Sequence, residues 1–216
     1  MKLFQIIASA QGSRAFFNMG QAFGFGDELM AQTVRYFIPP MAKAIEKRAQ
    51  TPEGLLSVLE FLGSRRYDRF LDDPRIFGHA QVLKEGERVL DYLFVREARI
   101  KKIIENRAKV LPIEAAALEK MLPYIAVMVI GAIEVKTRRP LGVIWHRITK
   151  GASDDRALAN PYLALVQYLK KQERDQKDQR RRRLFAFLGV GSSAAPAPAP
   201  ALPEPALEAP ALFQSA

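Results

Sequence analysis

The sequence predicts an all-α protein, and three features of the chain support that prediction. Apolar residues recur at three- and four-residue spacing along most of residues 3–169, which is the period of an amphipathic helix. The pairs Thr51-Pro52 and Asn160-Pro161 place a capping side chain before a proline, as at the start of a helix. Sustained two-residue alternation and the turn sequences Asn-Gly and Asp-Gly are missing, so no strands are expected.

Short helices are expected at the N-terminus. Apolar residues in segments 3–10 and 16–19 predict one or two helices separated at Gly12-Ser13. Residues 23–26, Phe-Gly-Phe-Gly, are typical of a turn. The carboxylate of Asp27 is then predicted to cap the helix that follows.

Two prolines, Pro39 and Pro40, stand inside the next apolar pattern. Proline removes an amide donor and clashes with the preceding turn, so this helix is expected to kink or restart there. Residues 63–74 are polar and are expected to be irregular. Further helices are predicted at 52–62, 89–104, about 113–133 with Pro123 in its middle, 140–148 and from 161, which makes about seven or eight in all.

Two of these helices resemble each other. Residues 34–39 and 118–123 both end in a proline that is followed by an apolar turn, and a helix containing a glycine (Gly54 or Gly142) comes after each of them. This repetition predicts a pseudo-duplicated bundle with proline-kinked core helices. Chance similarity between two apolar helices is the alternative interpretation.

Composition excludes several classes of chemistry. The chain has 33 Lys and Arg against 23 Asp and Glu, a net charge of +10. It has no Cys, which excludes disulfides, thiol nucleophiles, iron–sulfur clusters and cysteine-ligated zinc. Its two histidines, His79 and His146, lack the spacing that puts two metal ligands on one helix face. We therefore predict no metal and no other cofactor.

No transmembrane segment or export signal is predicted. The longest apolar run, residues 121–133, has 13 residues and is bounded by Lys120 and Glu134, whereas a bilayer span needs about 20. This run is expected to form a buried core helix. Near the N-terminus, Gln5 interrupts an apolar stretch that is too short for a signal peptide. A cytoplasmic location is expected.

The C-terminal part of the chain changes character near Leu169. Residues 170–183 contain eight basic and three acidic residues and no apolar one, and a short apolar patch follows them. Residues 191–216 hold nine Ala and six Pro without a basic residue, a composition that is typical of disorder. The predicted division is a helical domain at 1–169, a basic helical extension at 170–190 and a disordered tail at 191–216.

Several short motifs then occur in a characteristic order. They are residues 3–7 with Gln11-Gly12, the turn at 23–25, the helix ending at Pro39, and the segments 67–74, 85–94 and 118–131. In this order they resemble the YidB-like bacterial family (domain of unknown function 937) over roughly residues 1–135. The chain is more basic than that family's members tend to be. It has Val95 where a glycine is expected, and the histidine expected just before the Leu-Asp motif is not obvious. The resemblance implies an all-helical fold and no known activity, so it supplies no catalytic residue.

Candidate catalytic groups are few. Asp68, Asp72, Asp73 and Asp91 could serve in acid–base chemistry or cation binding, but helix capping and pairing with nearby arginines is the favoured interpretation. Gly24 and Gly26 follow no strand, and no serine lies in a Gly-x-Ser-x-Gly context. The sequence therefore predicts a protein that is not an enzyme.

Basic clusters are the stronger indication of function. Residues 96–109 carry a local charge of +4, and an unbroken arginine run follows at 180–183. Runs of this kind attract polyanions with little sequence selectivity. Cations beside apolar residues also bind anionic membrane surfaces. The polyanion-binding candidates are Arg99, Lys101, Lys102, Arg107, Arg180, Arg181, Arg182 and Arg183, and the membrane-surface candidates are Leu184, Phe185, Phe187 and Leu188.

Three functions follow from these features. The first is a non-enzymatic helical interaction module that binds unknown protein partners and is tethered by its basic extension. The second is nucleic-acid binding without sequence selectivity through the basic clusters. The third is peripheral binding to an anionic membrane surface through residues 180–188. A solvated basic face that only keeps the protein soluble is the alternative to all three.

Overall fold

The described part of the chain contains nine α-helices and no strand, which confirms the all-α prediction. This computed structural model describes residues 2–95, 97–149 and 159–187. The helices are α1 (Leu3–Ser13), α2 (Ala15–Phe23), α3 (Asp27–Arg48), α4 (Pro52–Gly63), α5 (Tyr67–Asp72), α6 (Ala80–Leu93), α7 (Glu97–Ala108), α8 (Ala115–Ile148) and α9 (Pro161–Phe187).

The first half of α8 forms the centre of the core. Every residue from Met121 to Glu134 is buried, and α1, α3, α5, α6 and α7 all contact this helix. Helix α8 is also the one helix among the described residues that is long and apolar enough to cross a bilayer by length and composition. However, 78% of its apolar window is buried inside the protein. That degree of burial is typical of a core helix, and a helix that is apolar all round suits a central position.

Two glycines allow neighbouring helices to approach α8 closely. A Cβ at Gly86 would lie 2.3 Å from the carbonyl oxygen of Pro123, so α6 can pack here only without a side chain. A Cβ at Gly131 would lie 2.7 Å from the carbonyl oxygen of Tyr67. This second contact brings the start of α5 against the middle of α8, close to Glu134.

The end of α1 contains a strained turn. Gln11, Gly12 and Ser13 all have positive φ, a conformation that is unfavourable for Gln11 and Ser13. The Gln11 side chain is fixed in place because its Nε2 donates to the carbonyl oxygens of Leu71 (3.3 Å) and Asp73 (3.1 Å). The separation of two helices predicted at Gly12-Ser13 is therefore confirmed, and this turn is tied to the end of α5.

The predicted helix caps have different outcomes. Thr51 caps α4, since its Oγ1 accepts a hydrogen bond from the backbone N–H of Gly54 at 3.0 Å. Asn160 caps α9 by accepting from the N–H of Leu163 at 3.3 Å. The prediction for Asp27 is wrong, because Gly26 is the N-cap of α3. Asp27 lies in the first turn, where its negative charge still favours the positive end of the helix dipole.

Two stretches are more helical than predicted. Residues 67–72, expected to be irregular, form α5. The prediction of a separate helix beginning at Pro140 is wrong, because α8 continues unbroken through both Pro123 and Pro140. Pro140 is exposed, so the carbonyl that loses its amide partner can be solvated. Consequently the two halves of the predicted duplication differ: α3 and α4 are two helices, whereas the matching residues form one.

The chain divides into two units, Met1–Lys171 and Gln172–Ala216. The first contains the core around α8. In the second, the described residues continue α9, and the side chains of residues 172–181 are all exposed. The sequence-based division at 169 and 190 stays a prediction, and the tail predicted to be disordered lies outside the described residues.

Candidate polyanion-binding site

A shallow depression lies between the end of α3 and the start of α7. Its volume is about 300 Å³. We name it the basic depression and define it by its lining residues, which are Ala44, Lys47, Arg48, Leu93, Val95 and Arg99. Three of these six side chains are cationic and none is acidic. An anion entering it would therefore meet positive charge from two separate helices.

The cations of the basic depression make no ion pair with any other described residue. Two of them are instead held by aromatic rings. The guanidinium carbon of Arg48 lies 4.5 Å from the ring centre of Tyr92, and that of Arg99 lies 5.8 Å from Phe94. A cation–π contact of this kind orients a guanidinium without neutralising its charge.

Apolar residues form the rest of the basic depression. Ala44 and Leu93 are buried, whereas the side chain of Val95 is 81% exposed. Val95 occupies the position where the family resemblance leads one to expect a glycine. An exposed branched side chain at this point adds an apolar edge next to the three cations.

The structure separates the basic residues predicted at 96–109. Arg99 lines the basic depression, and Lys102 is exposed one turn later on α7. Lys101 pairs with Glu97 at 2.9 Å, an exposed contact that raises the pKa of the lysine through their hydrogen bond. Arg107 is half-buried, with its guanidinium 5.4 Å from the ring centre of Tyr36.

Two cations of the site, Lys47 and Arg48, were missed by the sequence analysis. They lie about 50 positions before Arg99, so the cluster forms only when α3 and α7 come together. The available signal was that both end a helix, where cations favour the negative end of the dipole. That signal predicts a helix end and does not reveal what lies beside it.

The remaining candidates lie near the end of α9. Arg180 and Arg181 are exposed on this helix. Helix α9 ends at Phe187, so the backbone of Arg182, Arg183, Leu184 and Phe185 also belongs to it. The side chains of residues 182–187, and all of Leu188, lie outside the described part of the structure.

A second cluster of charges has its partners within the chain. Glu134 of α8 is completely buried. Its carboxylate pairs with Arg138, lies 4.0 Å from the Nε of Arg66, and accepts a hydrogen bond from the N–H of Asp68 at 3.0 Å. The Tyr162 hydroxyl of α9 donates to the Glu134 carbonyl oxygen at 3.0 Å. We name these five residues the Glu134 junction.

Ionisation in the Glu134 junction follows from its contacts. The hydrogen bond from Arg66 holds the pKa of Asp68 below its usual range. Burial raises the pKa of Tyr162 to about 12. The first shift favours the charged carboxylate of Asp68, and the second favours the neutral phenol of Tyr162. These are the forms that make the hydrogen bonds described above, as is typical of a structural cluster.

The other carboxylates predicted as candidates are dispersed. Asp73 pairs with Arg75 at 3.1 Å, and this hydrogen bond lowers the pKa of Asp73. Asp72 and Asp91 are exposed on different helices. Within the described ranges, no three His, Asp or Glu side chains come close enough together to hold a metal ion.

One family model matches the chain. It covers residues 5–135 and is described as "Bacterial protein of unknown function (DUF937)". All six residues that line the basic depression, from Ala44 to Arg99, lie inside this match. No curated protein and no solved structure matches this chain.

Proposed function

We propose a function for this chain, which belongs to the bacterial DUF937 family. It is a non-enzymatic helical module that binds polyanions without sequence selectivity. The observation that carries the proposal is the meeting of Lys47, Arg48 and Arg99 in a depression that contains no acid. A polyanion such as duplex DNA or RNA supplies the missing negative charge. Its binding releases counterions, and their gain in entropy favours the complex.

The arrangement supports binding to a backbone rather than to bases. The basic depression is shallow, and its aromatic neighbours Tyr92 and Phe94 have their faces beside Arg48 and Arg99. Those faces are therefore engaged with the guanidinium groups rather than offered to stacked bases. Phosphate contacts of this type position a ligand and carry little sequence information.

The basic segment of α9 supplies a second set of charges. Residues 172–181 are exposed, and within this segment Lys177 pairs with Glu173. Arg180 and Arg181 are the last residues of α9 whose side chains the structure describes. We propose that this segment adds affinity as a tether, as the sequence analysis predicted. The interaction-module role, the absence of enzymatic activity and the cytoplasmic location are parts of the same proposal.

The test is fluorescence anisotropy of a labelled random-sequence duplex DNA at two salt concentrations. The full chain is compared with the triple variant Lys47→Gln, Arg48→Gln and Arg99→Gln. Each lost phosphate contact reduces the slope of log affinity against log salt by about 0.9, so we expect a slope that is smaller by about 2 to 3 units.

A control variant with the same net charge removes three exposed cations elsewhere: Arg69→Gln, Lys84→Gln and Lys120→Gln. We expect its affinity to stay close to that of the parent. Equal losses in the two variants would mean that net charge alone drives binding, which contradicts the assignment to the basic depression. Absence of DNA and RNA binding by the full chain would contradict the proposed function itself.

A further inference from the structure

The second half of α8 presents an exposed face on which cations and apolar side chains alternate. From Val135 to Ile148 the helix contains no acidic residue. Arg138 points to Glu134 and is used inside the protein. We name the remaining surface the α8 outer face. It is defined by Val135, Lys136, Arg139, Val143, Ile144 and Arg147, all of which are exposed, and Pro140 and His146 are exposed beside them.

Helical geometry places these residues together. At about 100° per residue, positions 135, 136, 139, 143, 144 and 147 fall within one half of the helix surface. The opposite half holds Leu141, Trp145 and Ile148, which pack against the core, and Trp145 contacts Tyr168 of α9 edge-to-face at 6.2 Å. Except at Val135 and Lys136, which border α1 and α5, the α8 outer face is therefore turned away from the helix packing of its own unit.

The apolar content of the α8 outer face is unusual for this protein. Eight large hydrophobic side chains are exposed among the described residues, and three of them, Val135, Val143 and Ile144, lie within ten residues of this one helix. Their exposed fractions are 43%, 50% and 46%. Exposed apolar side chains scattered singly need no explanation, but a group on one face indicates a contact surface.

We propose that the α8 outer face docks on an anionic lipid membrane surface. Charge complementarity selects this occupant, because three outward cations stand on a stretch of α8 that contains no carboxylate, and the one acid that lines the depression beside Lys136 is Asp72 of α5. The apolar residues distinguish a bilayer from a nucleic acid. Val143 lies between Arg139 and Arg147 along the helix, and a phosphate backbone bound to these arginines would provide no apolar contact for its side chain. A headgroup layer admits both groups, since cations pair with lipid phosphates while aliphatic side chains reach the acyl boundary.

A neighbouring depression extends the apolar part of this surface. It has a volume of about 410 Å³ and lies between α1, α5 and α8. Val135 and Lys136 of the α8 outer face line it together with the apolar residues Ile6, Ala10 and Leu71 and the polar residues Ser9 and Asp72. Its apolar residues continue the surface formed by Val135. Lys136 makes no ion pair with a described residue, Asp72 included, so its charge is available to a lipid phosphate.

The test is flotation of the full chain with phosphatidylcholine vesicles that contain or lack phosphatidylglycerol. We expect binding only to the anionic vesicles. The variant Lys136→Gln, Arg139→Gln and Arg147→Gln should reduce partitioning about 100-fold, since each cation near an anionic surface contributes about fivefold. The variant Val143→Ser and Ile144→Ser keeps the charge and should reduce partitioning about 10-fold.

Matched controls separate this inference from general effects. Leu55→Ser with Val110→Ser removes two exposed apolar side chains elsewhere, and Arg69→Gln with Lys84→Gln and Lys120→Gln removes three charges. Both controls should bind anionic vesicles like the parent. Fluorescence of Trp145, the one tryptophan of the chain, reports whether each variant remains folded.

Three results would overturn the inference. The first is that the full chain does not bind anionic vesicles. The second is that both α8 variants bind them like the parent. The third is that the charge variant loses binding while the Val143 and Ile144 variant binds like the parent. The last result would indicate simple polyanion binding. The inference does not depend on the proposed function. The triple variant of Lys47, Arg48 and Arg99 is expected to lose DNA affinity and to keep vesicle binding, so the two proposals can fail separately.

Discussion

The basic depression and the Glu134 junction both contain arginines, and the two regions differ in where the opposite charge is. In the Glu134 junction, Arg138 and Arg66 face a buried carboxylate of the same chain. In the basic depression, Lys47, Arg48 and Arg99 line a surface without an acid. A net charge of +10 therefore combines cations that stabilise the fold with cations that are available to a partner. Only the three-dimensional position of each cation distinguishes the two groups.

The largest expected effect comes from breaking the Glu134 junction. Glu134→Ala removes a carboxylate that is completely buried, leaves the N–H of Asp68 without its acceptor and leaves Arg138 with only the carbonyl oxygen of Ala159. Removing one partner of a buried ion pair costs about 3 to 5 kcal/mol, and we expect a loss near the lower end because Arg138 can partly reach solvent. Urea unfolding followed by Trp145 fluorescence measures the change.

An exposed ion pair provides the control for that measurement. Glu60 pairs with Lys170, and both side chains are about half exposed. Glu60→Ala should lower the free energy of unfolding by less than about 1 kcal/mol. If the two variants lost similar stability, burial would not be what makes Glu134 important, and the comparison between the two regions would fail.

A smaller effect is expected at alkaline pH. Burial raises the pKa of Tyr162 to about 12, whereas an unfolded tyrosine titrates near about 10. A group whose pKa is raised by folding keeps its full contribution below the unfolded pKa, so this contribution is complete below about pH 10. It is lost as the pH rises toward 12.

Tyr162→Phe isolates this alkaline effect. The variant loses the hydrogen bond to the Glu134 carbonyl oxygen, so we expect about 1 kcal/mol less stability at pH 7. Its stability should then fall less steeply than that of the parent between pH 10 and 12. Parallel curves of unfolding free energy against pH would show that Tyr162 does not contribute to the alkaline loss.

The smallest effect on stability is expected in the basic depression. Neutralising Lys47, Arg48 and Arg99 together should lower the free energy of unfolding by no more than about 0.5 kcal/mol per site, because none of them pairs with a described carboxylate and only the surface cation–π contacts of Arg48 and Arg99 are lost. Thermal unfolding of the triple variant checks this. A clear stability loss would assign these cations to the fold and remove the distinction from the Glu134 junction.

The sequence predicted what local chemistry determines. Thr51 and Asn160 cap their helices because a capping side chain needs only the next three residues. The fold class and the buried run in α8 were predicted for a similar reason, since apolar periodicity is a local signal. Pro140 was interpreted as a helix start, but packing of Leu141 and Trp145 keeps α8 continuous through it.

The sequence did not predict what depends on distant residues. Glu134 was interpreted as the charged end of an apolar run, although its spacing of four from Arg138 was a signal for an ion pair on one helix face. The contact with Asp68 joins positions that are 66 residues apart. The basic depression likewise combines residues from α3 and α7, and no local pattern connects them.

The Glu134 junction also bears on which length of chain can fold autonomously. The family match ends at residue 135, one position after Glu134, whereas Arg138 and Tyr162 lie beyond it. A polypeptide cut at the family boundary would keep a carboxylate in its interior and lose two groups that accommodate it there. We therefore expect the unit that unfolds cooperatively to extend into α9, and recombinant fragments of this protein should include residue 171, where the first unit ends.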